Sequence, residues 1–213
     1  MRTRVKICGC TSVDDAMLAV EAGADAVGVI LSERSLRRAG LETLHAVAAA
    51  LPALVTLVAV FTDPTGGLVD EALKVGAIPQ FHGDEPAEAC EAFAPGPYLK
   101  AYHVRPDADP AAFERFARPY EHATWLFDTA APDGRSGGTG RTFPWELAPL
   151  LAPGRRFVVS GGLTPDNVGA CVRAVRPYAV DVRSGVETDG VKDPHKIREF
   201  LRAVREADAQ TPA

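Results

Sequence analysis

The sequence predicts a single closed (β/α)8 barrel, the TIM-barrel architecture. Three observations lead there. Short runs rich in β-branched and aromatic residues alternate with helical patterns along the whole chain, eight of each, strand first. Such alternation requires parallel strands joined by crossover helices. The length, 213 residues, fits one large α/β domain or two small ones. No linker or composition break interrupts it, so residues 1–213 read as one domain. Eight unbroken units favour closure over the alternative, an open doubly wound sheet.

Each element has a local reason. Val5–Gly9 is a short strand; Thr11 or Ser12 caps a helix that runs to Glu21 and is ended by Gly23. Ala26–Leu31 is the second strand, followed by a basic loop, Ser32–Gly40, and a helix over Leu41–Leu51 with an apolar stripe. Leu54–Phe61 is the third strand. Asp63-Pro64 opens a helix reaching Val75, its first turn weakened by Gly66-Gly67. Ile78–His82, Tyr98–Val104 and Thr124–Asp128 are the next strands, with helices over Glu85–Phe93 and Pro110–Tyr120 between them. A glycine-rich loop precedes a helix over Trp145–Leu151. Phe157–Val159 and Ala179–Val182 are the last strands, and Asp193-Pro194 starts a final helix to Ala207. Closure requires Val5–Cys8 to pair with Ala179–Val182.

The chain is organised around Phe157–Glu187. There two strands each run into a glycine turn, Ser160-Gly161-Gly162 and Ser184-Gly185, with a helix between them. Thr164 is its expected N-cap, with Pro165 at the first helical position. Bare backbone N–H groups at neighbouring strand ends suit a phosphate dianion. A third glycine turn, Gly137-Gly138-Thr139-Gly140, strengthens that reading over simple tight turns.

Bulk properties exclude other classes. The chain is 46% hydrophobic and 24% charged, with 23 basic against 28 acidic residues and no long run of one sign. Arg34, Arg37 and Arg38 form too short a patch for nucleic acid. No apolar run approaches the ~20 residues of a membrane span. MRTRVKICG enters a strand at once and leaves no room for a signal peptide, so a cytosolic protein is expected. Cys8, Cys10, Cys90 and Cys171 form no regular framework, which argues against disulfides and zinc.

In a parallel barrel the site lies at the C-terminal ends of the strands. The polar residues there are Lys6 and Cys8, Gln80 and His82, Asp128, and Asp181 and Arg183. By alternation each of these pairs shares one face of its strand.

The segments VKICG, SLR at Ser35–Arg37, QFHGDE, FDT, GGTGRTF, SGGL and VDVRSGVE stand in the order and spacing of the phosphoribosylanthranilate isomerases of tryptophan biosynthesis. From Val5 to about Val204 the chain resembles that family. The resemblance implies an Amadori rearrangement of N-(5'-phosphoribosyl)anthranilate to 1-(2-carboxyphenylamino)-1-deoxyribulose 5-phosphate, without metal or organic cofactor. It implies Asp128 as general acid on the ribose ring oxygen and Cys8 as general base at C2′. It also implies Arg37 as partner of the anthranilate carboxylate. The phosphate cradle would be Gly138, Thr139 and Gly140, Ser160, Gly161 and Gly162, and Ser184 and Gly185. Lys6, Gln80, His82, Asp181 and Arg183 are the remaining candidates for substrate binding. An acid at pH 7 needs a raised carboxyl pKa, and a thiol base a depressed one, which Lys6 on the same face would assist.

The chain departs from the family pattern at several points. Leu36 replaces a proline, Arg183 a small residue, Arg141 a lysine and Pro144 an aspartate, and phenylalanines near Val29 and Leu31 are missing. Two other functions therefore stay open: a diverged isomerase of a related phosphosugar amine in secondary metabolism, and a phosphosugar-binding barrel without turnover. The presence of both Cys8 and Asp128 argues against the second. Arg183 either pairs with Asp181 and fills space or meets an anionic group of the substrate. The expected partner is a small phosphorylated sugar-amine, with no nucleic acid or membrane, bound by a monomer or homodimer.

Overall fold

All eight expected strands form in a computed structural model that describes residues 2–130 and 142–210. They are β1 (Arg4–Cys8), β2 (Ala26–Ile30), β3 (Thr56–Phe61), β4 (Ile78–Phe81), β5 (Tyr98–Val104), β6 (Ala123–Thr129), β7 (Phe157–Val159) and β8 (Ala179–Val182). They follow one another in sequence order and the sheet closes as a barrel. The helices are α1 (Val13–Ala22), α2 (Leu41–Ala50), α3 (Gly66–Lys74), α4 (Ala87–Phe93), α5 (Pro110–Ala117), α6 (Leu147–Leu151), α7 (Val168–Val175) and α8 (Pro194–Ala209). None of them is long and apolar enough to cross a membrane. The chain falls into two compact units, residues 7–101 with 118–124, and residues 1–6 with 102–117 and 125–213.

In the first unit, β2, β3 and β4 pair in parallel, with Val58 opposite both Gly28 and Ile78. Their near-continuous apolar runs are buried, as strands covered on both faces require. Ser12 caps α1 by accepting from the Asp15 N–H, and Gly23 ends it at a left-handed φ of 96°. Helix α3 starts at Gly66 rather than at Asp63-Pro64. The reason is local: Asp63 sits at φ 48°, and its N–H donates to Glu85 Oε1 at 2.9 Å, which holds the chain in a turn. Glu85 is a buried hub. Its carboxylate also accepts from the Gly83 N–H and pairs with buried Lys100 at 2.9 Å, and the Lys100 ammonium donates to Gly83 O at 2.6 Å. Burial pushes the Cys90 thiol up to about 12.

In the second unit, β6, β7 and β8 pair in parallel, Leu126 beside Val158 and Val158 beside Ala179. Phe113 of α5 packs edge-on to Tyr102 and Trp125, at ring centroid distances of 4.7 and 4.9 Å. Helix α7 starts at Val168, not at Thr164-Pro165. Thr164 O nevertheless accepts from the Val168 N–H at 3.0 Å, and Asn167 braces the entry: its Oδ1 accepts from the Thr164 N–H at 2.8 Å, as in a capping box, and its Nδ2 donates to Gly162 O at 2.9 Å. Asp193 caps α8 by accepting from the His195 and Lys196 N–H groups, with Pro194 at the first position, as expected. A two-strand antiparallel hairpin follows β8, β9 (Glu187–Thr188) with β10 (Val191–Lys192), which the sequence pattern does not announce. The Arg4 N–H donates to Tyr178 O at 3.1 Å, placing the start of β1 beside the entry to β8. Cys171 is buried on α7, and burial raises its thiol to about 12.

Candidate active site

Residues at the ends of β6, β7 and β8 meet within one unit. Asp128 is buried near the end of β6, and its Oδ1 accepts from the Thr129 N–H at 2.7 Å. Gly161, just past β7, has φ +82°, and a Cβ there would lie 2.4 Å from Asp128 Oδ1 and 2.5 Å from both Thr129 N and Oγ1. Only a glycine lets that backbone press on the carboxylate. Gly162 also adopts positive φ, 65°, so the turn is wound left-handed. Past β8, Ser184–Val186 forms a single 3₁₀ turn. A Cβ on Gly185 would lie 1.9 Å from Leu163 O. The β7 and β8 turns thus touch backbone to backbone at Gly185, one of the glycines singled out by the sequence. Gly138, Thr139 and Gly140 lie outside the described residues.

Two side chains fasten these turns from behind, and the sequence reading named neither. Asn167 holds Gly162 O, as described above. The Lys192 ammonium, its side chain 1% exposed, donates to Arg183 O at 3.1 Å and pairs with Glu187 Oε1 at 2.8 Å. Lys196 in turn donates to Glu187 O at 2.7 Å. A lysine in a charged stretch reads as solvated from sequence; its burial comes from the unannounced hairpin.

Lys6 and Asp181 form a buried ion pair at 2.9 Å, each side chain 5% exposed. Lys6 therefore has a carboxylate partner on β8. The space-filling pairing of Arg183 with Asp181 is not what forms, since Lys6 takes Asp181 Oδ2 and the Arg183 side chain is half-buried beyond the strand end. Asp181 Oδ1 is buried and meets no hydrogen-bond partner among the described residues. A buried carboxylate oxygen left this way is an acceptor awaiting a donor.

The other predicted residues lie in the first unit. Cys8 ends β1 and packs in a buried cluster with Ile30, Val58 and Val60. Gln80 Nε2 lies 3.1 Å from His82 Nδ1 at the end of β4, and Gln80 Oε1 is buried without a partner among the described residues. Arg37 is half-buried in the loop after β2. That loop lacks proline stiffness, yet it is laced by its serines: Ser32 Oγ accepts from the Arg34 N–H and Ser35 Oγ from the Arg37 N–H. Leu36, the departure from the family pattern, is fully exposed.

Comparison with known proteins shows the family. The family described as N-(5'-phosphoribosyl)anthranilate (PRA) isomerase matches residues 5–203. An N-(5'-phosphoribosyl)anthranilate isomerase of Pseudomonas fluorescens is 43% identical over 212 residues, covering 96% of this chain and 97% of its own. The phosphoribosyl anthranilate isomerase structure from Thermotoga maritima is similar at a TM-score of 0.84 and 38% identity, covering 96% of this chain and 99% of its own. A further isomerase structure, at 36% identity, a TM-score of 0.80 and the same coverage, holds reduced 1-(o-carboxyphenylamino)-1-deoxyribulose 5-phosphate. Monomers generated from the dimeric Thermotoga maritima enzyme match at 36% identity and a TM-score of 0.78, again over 96% and 99% of the two chains.

Proposed function

The chain belongs to the N-(5'-phosphoribosyl)anthranilate isomerase family, and from that premise we propose how its side chains share the rearrangement. It is an isomerase of tryptophan biosynthesis. Asp128 is the general acid. It gives its proton to the ribose ring oxygen as the C1′–O bond breaks and the amine lone pair forms the C1′=N bond of a Schiff base. Cys8 is the general base. It takes the C2′ proton, and the C2′–H electron pair forms C1′=C2′ as the iminium electrons return to nitrogen. The enolamine then loses its C2′ hydroxyl proton and gains one at C1′, leaving the ketone.

Binding divides along the same lines. The N–H groups of the Gly161-Gly162 and Ser184-Gly185 turns take the phosphate. Arg37 pairs with the anthranilate carboxylate, since a planar guanidinium fits a planar anion. Asp181 Oδ1 accepts from a sugar hydroxyl, held in place by Lys6 on its other oxygen. Gln80 and His82 complete the polar lining. Arg183 offers a second cation where the family pattern has a small residue. No step of this scheme needs a metal or organic cofactor.

One observation carries the reading: the glycine of the β7 turn is packed on the Asp128 carboxylate, so the acid and the phosphate turn share a wall. Cys8→Ala and Asp128→Asn test it. Each is expected to lower turnover about 10²–10⁴-fold with little change in substrate binding. Full activity in either variant removes that residue from the mechanism. Rescue of a tryptophan auxotroph lacking this isomerase tests the native substrate. A cytosolic enzyme is part of this reading, and sedimentation distinguishes a monomer from the dimer known for a relative.

A further inference from the structure

We propose that Lys192 and Asn167 are positioning residues that aim the amides of the phosphate cradle. The inference rests on the reading of the β7 and β8 turns as that cradle. In a trans peptide the carbonyl and the next N–H point in opposite directions. Lys192 pulls Arg183 O toward the buried hairpin at 3.1 Å, so the Ser184 N–H faces the other way. Asn167 pulls Gly162 O toward the start of α7 at 2.9 Å, so the Leu163 N–H is likewise turned outward. The two peptides belong to the turns whose backbones touch at Gly185 and Leu163.

Neither anchor is free to wander. The Lys192 ammonium is shared between Arg183 O and Glu187 Oε1, and the Glu187 backbone is held by Lys196. Val186 O accepts from the Asp193 N–H at 2.9 Å, which fixes the far end of the 3₁₀ turn on the N-cap of α8. Asn167 spends its carbonyl on Thr164 and its amide on Gly162, so its rotamer is set by two bonds. The cradle needs no lysine on the phosphate. Its lysine acts from behind, through a carbonyl, and its charge is balanced by Glu187.

The test uses the double variant Lys192→Met/Glu187→Gln, which removes the anchor without stranding a buried carboxylate, and separately Asn167→Leu. KM for phosphoribosylanthranilate, competitive inhibition by inorganic phosphate, kcat and thermal stability are measured together. Loss of one fixed hydrogen bond is expected to raise KM and the phosphate inhibition constant together, each about 10–100-fold, with kcat changed far less. Lowered stability with both constants within twofold of the parent overturns the proposal, because a purely structural anchor moves stability alone. Should the double variant fail to fold, Lys192→Arg keeps the charge but spreads it over a planar fork; the same rise in KM supports positioning and an unchanged KM overturns it. The parent protein isolates the underlying reading. If inorganic phosphate does not compete, and a dephosphorylated substrate binds equally well, the cradle itself is wrong, whatever the variants do.

Discussion

Gly185→Ala puts the contact between the two turns to its sharpest test. The added Cβ would stand 1.9 Å from Leu163 O, 2.9 Å from Leu163 C and 3.2 Å from Thr164 Cα. Ordinary C···O contact begins near 3.3 Å, so the turns must part by about 1.4 Å. Every atom met is backbone, so no rotamer change relieves the clash. Overpacking of this kind costs about 1–3 kcal/mol and here belongs at the upper end. For a chain of this length, about 3 kcal/mol lowers the midpoint of thermal unfolding by roughly 6–12 °C. A displacement of about 1 Å at a binding group costs about 10²-fold in activity. The assay is thermal unfolding alongside kcat/KM. Gly76→Ala is the control: Gly76 has φ +75° with nothing within 4 Å of its Cβ, so it carries only left-handed strain of about 1–2 kcal/mol and leaves KM alone. A Gly185→Ala protein with parental stability and KM would refute the close-contact reasoning.

Three further outcomes follow from the same structure. Gly67→Ala, in α3 with open space around its Cβ, should stabilise the protein by about 0.5–1 kcal/mol in urea titrations. Lys6→Met should destabilise by about 3–5 kcal/mol, because it leaves buried Asp181 without its counter-charge; adding Asp181→Leu should recover most of that in denaturant midpoints. His122, half-exposed, hydrogen-bonds Glu91 at 2.5 Å, and that bond, then the charges of Glu91 and Glu121, hold its pKa above the ordinary value. A raised folded pKa gives a contribution complete below about pH 6.5 and lost as pH climbs through the folded value. Thermal midpoints should therefore fall across that range, and His122→Asn should flatten this part of the profile.

Much of the molecule was legible in the sequence because its signals are local. Ser12, Gly23 and Asp193 cap where capping chemistry says they should, and the buried strands read as apolar runs of the right length. Gly161, Gly162 and Gly185 were readable as turn glycines because only glycine serves those turns. What failed was non-local. Regular helix begins at Val168 rather than at Thr164-Pro165, after a turn that Asn167 braces through Thr164 and Gly162. Strand alternation sets Lys6 on the face of Cys8, but its ion pair with Asp181 on β8, far along the chain, is not readable locally. Lys192 carries no local mark at all, since its role depends on a hairpin that folds it beneath Arg183.

Cys90 and Cys171 bear on how the protein can be chemically labelled. With both thiols pushed to about 12, the thiolate fraction of each at pH 8 is about one in ten thousand. Alkylating reagents act on thiolates and so leave this pair untouched at mild pH. Cys8 shows 6% of its surface against 0% for Cys10, Cys90 and Cys171, so it is the thiol a reagent reaches, and a Cys10→Ala background isolates it further. Stoichiometric loss of activity with label would then count competent enzyme molecules directly, and a bound ligand shielding Cys8 would report its own occupancy without any catalytic readout.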